Sequence, residues 1–252
     1  MEILNEFDEL QIYGGNSYKV NDDISIRQPT LGEIRDYGEK KYFDMVRTLC
    51  SVGADLKWQL DDIGQDYTKV SDYELFCSIL CRRYTKEDTQ ILFGDVLDFS
   101  QMKIQYKDDI QDHILVQFVN TEKQIIIDRF IYSSIVNILR KIHKMKRNDE
   151  MPGNELTRQA LIEDAREEHE ENKDKPIKSY LMPLISTMVN SEGFKRNDTT
   201  VFDMRMRAFM DSVARVNKIK NAELLLQSGY SGFGIDLKKI DKNALNYMGE
   251  LD

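Results

Sequence analysis

Apolar residues in this chain recur mostly at steps of three and four, the spacing that lines one face of an α-helix. One stripe runs through Ile34, Tyr37, Met45, Val46 and Leu49, with the long stem of Lys41 in it. It opens behind Thr30-Leu31-Gly32-Glu33, a capping box in which hydroxyl and carboxylate each satisfy a free backbone N–H. Ser71-Asp72-Tyr73-Glu74 repeats the device ahead of Leu75, Phe76, Ile79, Leu80 and Tyr84. Thr85-Lys86-Glu87-Asp88 starts a further short helix that Gly94 can close. Asp128 then caps the strongest stripe: Phe130, Ile131, Ser134, Ile135, Ile138, Leu139, Ile142 and Met145.

Two stretches break this period and read as strands. Residues 10–13 and 17–20 flank Gly14-Gly15-Asn16, which can supply the positive φ of a hairpin turn, and residues 24–28 add a short strand before Pro29. In mid-chain, residues 102–106, 114–119 and 124–127 are short, rich in β-branched side chains and separated by polar turns. The expected fold class is therefore α-rich α+β: several helices in series, with small antiparallel strand elements near the N-terminus and mid-chain.

Charge changes this picture by suggesting an organisation. Residues 149–174 carry ten acidic and three basic side chains, and most of the formal net charge of −9. Met151-Pro152-Gly153-Asn154 breaks the preceding helix, Pro176 closes the segment, and Leu156, Ala160, Leu161 and Ala165 give it only a thin apolar stripe. The pattern predicts three parts: a mixed body over 1–147, an exposed acidic helical linker over 148–176 acting as a hinge, and a helical unit over 177–252. In the last part, Tyr180, Leu181, Leu184, Ile185 and Met188 form one short element, and Val201, Phe202, Met204, Phe209, Val213 and Val216 face the core from the next. Beyond Gly229 the chain reads as an extended or mobile tail.

Composition narrows the function classes. The acidic balance disfavours nucleic acid and anionic membrane as general partners, and no apolar run approaches membrane-spanning length. The first twenty residues hold charges throughout, which predicts no secretory leader. Cys50, Cys77 and Cys81 form no framework, so a reducing, cytoplasmic setting is expected, with Cys77 and Cys81 as small core hydrophobes.

His113, His143 and His169 have no ligand-spaced companions, and His143 reads as part of a solvated helix end. Asp61-Asp62 and Asp108-Asp109 read as turn and cap residues rather than as acid–base or metal pairs. Gly229-Tyr230-Ser231-Gly232-Phe233-Gly234 follows a helix instead of a strand, which makes it a helix stop rather than a nucleotide loop. From Arg129 to Arg147 six cations occur without an acid, matched either by the acidic segment or by a charged partner. No catalytic residue, cofactor site or metal site is expected.

Protein partners fit best. Methionine is abundant, at 11 residues, and suits surfaces that adapt to a client. The client-binding surface is expected on Leu181, Leu184, Met188, Met204, Phe209 and Met210, with the tail ordering on binding.

Four stretches carry a family likeness: Ile26-Arg27-Gln28-Pro29-Thr30-Leu31-Gly32-Glu33-Ile34, Asp72-Tyr73-Glu74-Leu75-Phe76, Ile91-Leu92-Phe93-Gly94, and Ile235-Asp236-Leu237-Lys238-Lys239-Ile240. With the length and acidic helical character, they resemble the tail assembly chaperones of phages infecting Gram-positive bacteria. The resemblance implies a non-catalytic protein that holds the tape-measure protein, helps recruit tail-tube subunits and leaves before the virion is complete. A homo-oligomer is compatible with that role. The alternative is a structural phage or prophage component, such as a connector or baseplate part, that stays in the particle.

Overall fold

The computed structural model describes residues 6–121, 123–231, 234, 236 and 239–251, with side chains from residue 10 onward. Helices dominate, and two small antiparallel sheets accompany them, as the hydrophobic pattern requires. The first sheet pairs β1 (Tyr18–Lys19) with β2 (Ser25–Ile26), and the second has the order β3-β4-β5 (Lys103–Lys107, Asp112–Phe118, Gln124–Ile127). No helix among the described residues is long and apolar enough to cross a membrane.

Residues 10–13 are a correction: they belong to helix α1 (Glu6–Tyr13), not to a hairpin strand. Ile12 is buried in the main core, and the Gln28 side-chain amide donates to the Ile12 carbonyl and to that of Asn16 in the turn after the helix. Gly15, at φ +87°, turns the chain out of α1 instead of joining two strands. The two-stranded ribbon forms one step later, with Tyr18 opposite Ile26.

The capping boxes form where the sequence places them. Thr30 Oγ1 accepts from Glu33 N at 3.1 Å while Glu33 Oε2 accepts from Thr30 N at 2.7 Å, opening α2 (Leu31–Tyr37). Gly38, at φ +103°, separates α2 from α3 (Glu39–Cys50), so the first apolar stripe is carried by two helices at an angle. A 3-10 turn (Gly53–Leu56) leads into α4 (Lys57–Asp62). Ser71 caps α5 (Asp72–Leu75), which runs on as a π-helical turn (Phe76–Leu80) and a 3-10 turn (Cys81–Arg83); Thr85 and Gly94 bound α6 (Lys86–Phe93).

Asp128 Oδ1 accepts from Ile131 N at 2.8 Å and starts α7 (Arg129–His143). Ile135, Ile138, Leu139 and Ile142 are buried as the pattern requires, whereas Phe130 is 81% exposed. His143 is another correction, because it is buried. Its Nδ1 donates to the Leu139 carbonyl at 2.7 Å and its Nε2 accepts from the Tyr42 hydroxyl at 2.6 Å, which defines a neutral tautomer. Burial pushes its pKa down to about 4.

The acidic helix α8 (Glu155–Asn172) is as exposed as its charge requires, but it is docked on the N-terminal body rather than hung as a hinge. Ile162 enters a small second core with Val52, Leu60, Tyr67, Leu75 and Leu80. Arg166 pairs with Asp61 at 3.3 Å and Asp62 at 2.7 Å, and the His169 ring lies 4.7 Å from that of Trp58. The basic stretch 129–147 meets acids on both sides of it in the sequence. Arg129 pairs with Asp112 at 2.9 Å, and Arg147 pairs with Asp72 at 2.9 Å and with Asp149.

The C-terminal helices α9 (Leu181–Val189) and α10 (Met206–Tyr230) share the main core with α1, α3, α6 and α7. The division at residues 148–176 is therefore not a division of the core. Main chain ties the two ends together: Leu31 N donates to the Met204 carbonyl at 2.9 Å, and Met206 N to that of Pro29 at 3.0 Å. Glu39 accepts from Leu181 N at 2.6 Å, which caps α9 from across the molecule. The described part of the tail is held too, since α11 (Lys242–Leu245) packs on α10. Residues 235, 237 and 238 of the last family-like stretch lie outside the described residues.

Candidate protein-binding groove

The six side chains expected to form a client surface are core residues. Leu181, Met188, Phe209 and Met210 are buried, and Leu184 and Met204 are half-buried against the same cluster. The earlier expectation fails because it credited α9 and α10 with burying only each other. In the folded chain they belong to one continuous core that also holds Tyr42, Ile138 and Leu139. The three cysteines are buried as well, and burial pushes the Cys50 and Cys81 thiols up to about 12 and Cys77 to about 11. Thiols in this state behave as small hydrophobes, not as nucleophiles or metal ligands. No group of three His, Cys, Asp or Glu side chains among the described residues is placed to hold a metal ion.

The open apolar surface lies elsewhere, in a groove of about 690 Å³ between the loop after α4, the π-helical turn and the β3–β4 hairpin. Its floor is the second core: Leu60 and Leu75 are buried there, with Val70 packed against them. Its rim carries three isoleucines turned to solvent, Ile63 at 61% exposure and Ile79 and Ile104 at 38% each. Local structure explains each one. Ile63 follows the last turn of α4, where Gly64 at φ +71° reverses the chain. The π-helical turn widens the helix, so that Phe76 and Leu80 point inward while Ile79 points out. Ile104 sits on β3, all five residues of which are exposed.

Tyr73 anchors the wall. Its hydroxyl shares one proton between the His113 carbonyl at 2.9 Å and the Ile127 carbonyl at 2.8 Å, fastening α5 to both β4 and β5. Burial pushes its pKa up, and the Arg129 guanidinium lies 5.2 Å from its ring centre. Three carboxylates edge the groove and stay ionised. Hydrogen bonds from the Thr68 side chain and backbone bring Asp66 down to about 2. Ser71 holds Glu74 below the usual range, and Arg129 does the same for Asp112. The groove thus has an apolar floor and a margin of three carboxylates and one cation, Lys69, which pairs with Asp66 at 3.1 Å.

β3 is the outer strand of its sheet. It pairs with β4, from Lys103 opposite Val116 to Lys107 opposite Asp112, and no described strand covers its other edge. A free edge offers a row of backbone donors and acceptors to an incoming extended segment. Nothing in the sequence pattern marks this surface. Ile79 falls on the stripe that buries Phe76 and Leu80, and the alternation of Ile104 and Tyr106 resembles that of a half-buried strand. Only the lack of an element packed over them leaves them bare. Comparison of the chain with protein-family models, with curated proteins and with solved structures gives no match to any of them, so the groove is read from its own chemistry.

Proposed function

We propose that this protein is a non-catalytic binder of other proteins, and that the groove beside β3 holds an apolar client segment flanked by basic residues. The observation that carries this reading is the set of three exposed isoleucines over an apolar floor, edged by ionised carboxylates and bordered by a free strand. Exposed apolar surface of this kind marks contact sites, and its acidic margin favours cationic flanks. The family resemblance then supplies the client: the tape-measure protein of a phage tail, held during assembly, with tail-tube subunits recruited to the complex.

The test is co-purification of the full chain with a tape-measure fragment, alongside the double variant Ile79→Glu, Ile104→Glu. Both positions are exposed, so the variant should keep its melting temperature and lose at least tenfold in affinity. A variant that binds as well as the parent removes the groove from the reading, and no binding by the parent removes the client. Mass spectrometry of purified virions separates the chaperone from the connector or baseplate alternative, since a chaperone is absent from finished particles.

A further inference from the structure

A second concavity, of about 550 Å³, lies between the C-terminal end of α7 and the N-terminal half of α10, and it shares no residue with the groove. Six cations line it, Arg140, Lys141, Lys144 and Lys146 on and just after α7 and Arg207 and Arg215 on α10, against two acids, Asp211 and Glu250. Cations at the end of α7 answer the negative end of its dipole, which accounts for the first group but not for the pair on another helix. Arg140 donates to the Cys50 carbonyl at 2.7 Å and Arg215 to the Gly249 carbonyl at 2.8 Å, bonds that leave both charges uncompensated. Arg207 Nη1 is buried with no hydrogen-bond partner, a donor that a carboxylate would satisfy.

The opposite pattern lies on α8. Asp164, Glu167, Glu168 and Glu171 are exposed and recur at steps of three and four, so at about 100° per residue they share the face opposite Ile162. No described cation pairs with any of the four, while Glu163 and Glu170 beside them are matched by Arg166 and Lys173. Like charges at this spacing disfavour a helix, and Glu168 and Glu171 also lie towards its C-terminal end, where the dipole is negative. Ile162 and Arg166 hold the other face of α8 on the N-terminal body, and no α8 residue lines the cleft of the same chain. The dimensions of the two surfaces agree. The acidic stripe runs about 10 Å along α8, and Arg207, Asp211 and Arg215 follow one face of α10 for about 12 Å.

We propose that the basic cleft is an interface for a second copy of this chain, filled by the acidic stripe of that copy's α8. Charge complementarity selects this occupant: six cations against two acids leave the cleft four positive charges in excess, and the stripe brings four carboxylates. The stripe is also present wherever the cleft is, at equal concentration. A nucleic acid has the required sign, but the net charge of −9 repels long polyanions. Two copies repel each other at long range for the same reason, so the contact relies on charges that approach within a Debye length, about 8 Å at physiological salt. It joins two different surfaces, and each copy carries both. A copy defective in one surface is therefore complemented by a copy defective in the other.

Sedimentation velocity of the full chain over a range of concentrations reads the contact. The parent should self-associate at low ionic strength and be monomeric in molar salt. The stripe variant Glu167→Lys, Glu171→Lys and the cleft variant Lys141→Glu, Lys146→Glu should each raise the dissociation constant at least tenfold, with an unchanged circular dichroism spectrum. An equimolar mixture of the two should associate again. Lys146→Glu alone, at an exposed position, should raise the constant about threefold, and it replaces the cleft double variant if that one folds poorly. Glu192→Lys, Asp198→Lys makes the same change of net charge at exposed positions off the stripe and should lose no affinity. A parent that is monomeric at every concentration, association unaffected by the stripe and cleft variants, or no restoration in the mixture overturns the proposal. Equal loss in the off-stripe variant overturns it too, by tracing the effect to net charge. Binding of an oligothymidylate by a monomeric parent would overturn it in favour of a phosphate site.

Discussion

Helices α7 and α8 begin the same way and are kept for different reasons. Each has a side-chain cap on its first turn, Asp128 Oδ1 accepting from Ile131 N and Asn154 Oδ1 accepting from Thr157 N at 2.9 Å. Each spans several turns, 15 residues in α7 and 18 in α8. Yet α7 buries seven side chains, six of them in the main apolar core, whereas α8 buries only Ile162. Capping decides where a helix starts, and burial decides how firmly the fold needs it. α8 rests on the body through fewer buried side chains than α7, and Ile162 joins it to the second core that floors the groove.

The largest effect should come from Leu139→Ala in α7, which leaves a cavity in the main core and should cost about 4 kcal/mol of global stability in urea unfolding. A loss as small as that from an exposed site would remove the contrast between the helices.

Acid should act next, through His143 at the end of the same helix. Its pKa is lowered in the folded chain, so the unfolded chain takes up its proton first. The stability it contributes is complete above about pH 6.5 and is lost progressively as pH falls towards about 4. The loss over that window should be about 3 kcal/mol, from roughly 1.4 kcal/mol per pKa unit. His143→Gln should flatten this part of the pH profile. An unchanged slope in that variant would mean that another group titrates there.

Ile162→Ala tests whether α8 is separable. Amide exchange in residues 155–172 should accelerate, reflecting about 2 kcal/mol of local destabilisation, while exchange in α7 stays slow. Equal acceleration in both helices would make them one cooperative unit. Asn154→Ala should cost about 1 kcal/mol, again confined to α8, through loss of the Thr157 N–H bond.

The smallest effect belongs to Arg166→Ala. Its pairs with Asp61, Asp62 and Glu163 are partly exposed, so the cost should be the smallest of the set and should fade in molar salt. A salt-independent loss would show that the arginine stem is packed against α4 more tightly than its charge suggests.

What the sequence determined alone was local. The capping boxes at Thr30, Ser71 and Thr85, the cap at Asp128 and the helix stop at Gly94 each depend on side chains and main chain within about four residues of one another. The same holds for the charged outer face of α8. Tertiary structure decided everything that depends on which element lies on top of which. It placed residues 10–13 in a helix whose Ile12 side chain is buried in the main core and whose Ile12 carbonyl accepts from Gln28, sixteen residues away. It buried Phe209 and Met188 and left Ile79 bare, although all three sit on apolar stripes of similar spacing. It also drew His143 inside to meet Tyr42, 101 positions earlier in the chain. Hydrophobic period reports that a face wants cover, and only the packed chain shows whether another part of the molecule supplies it.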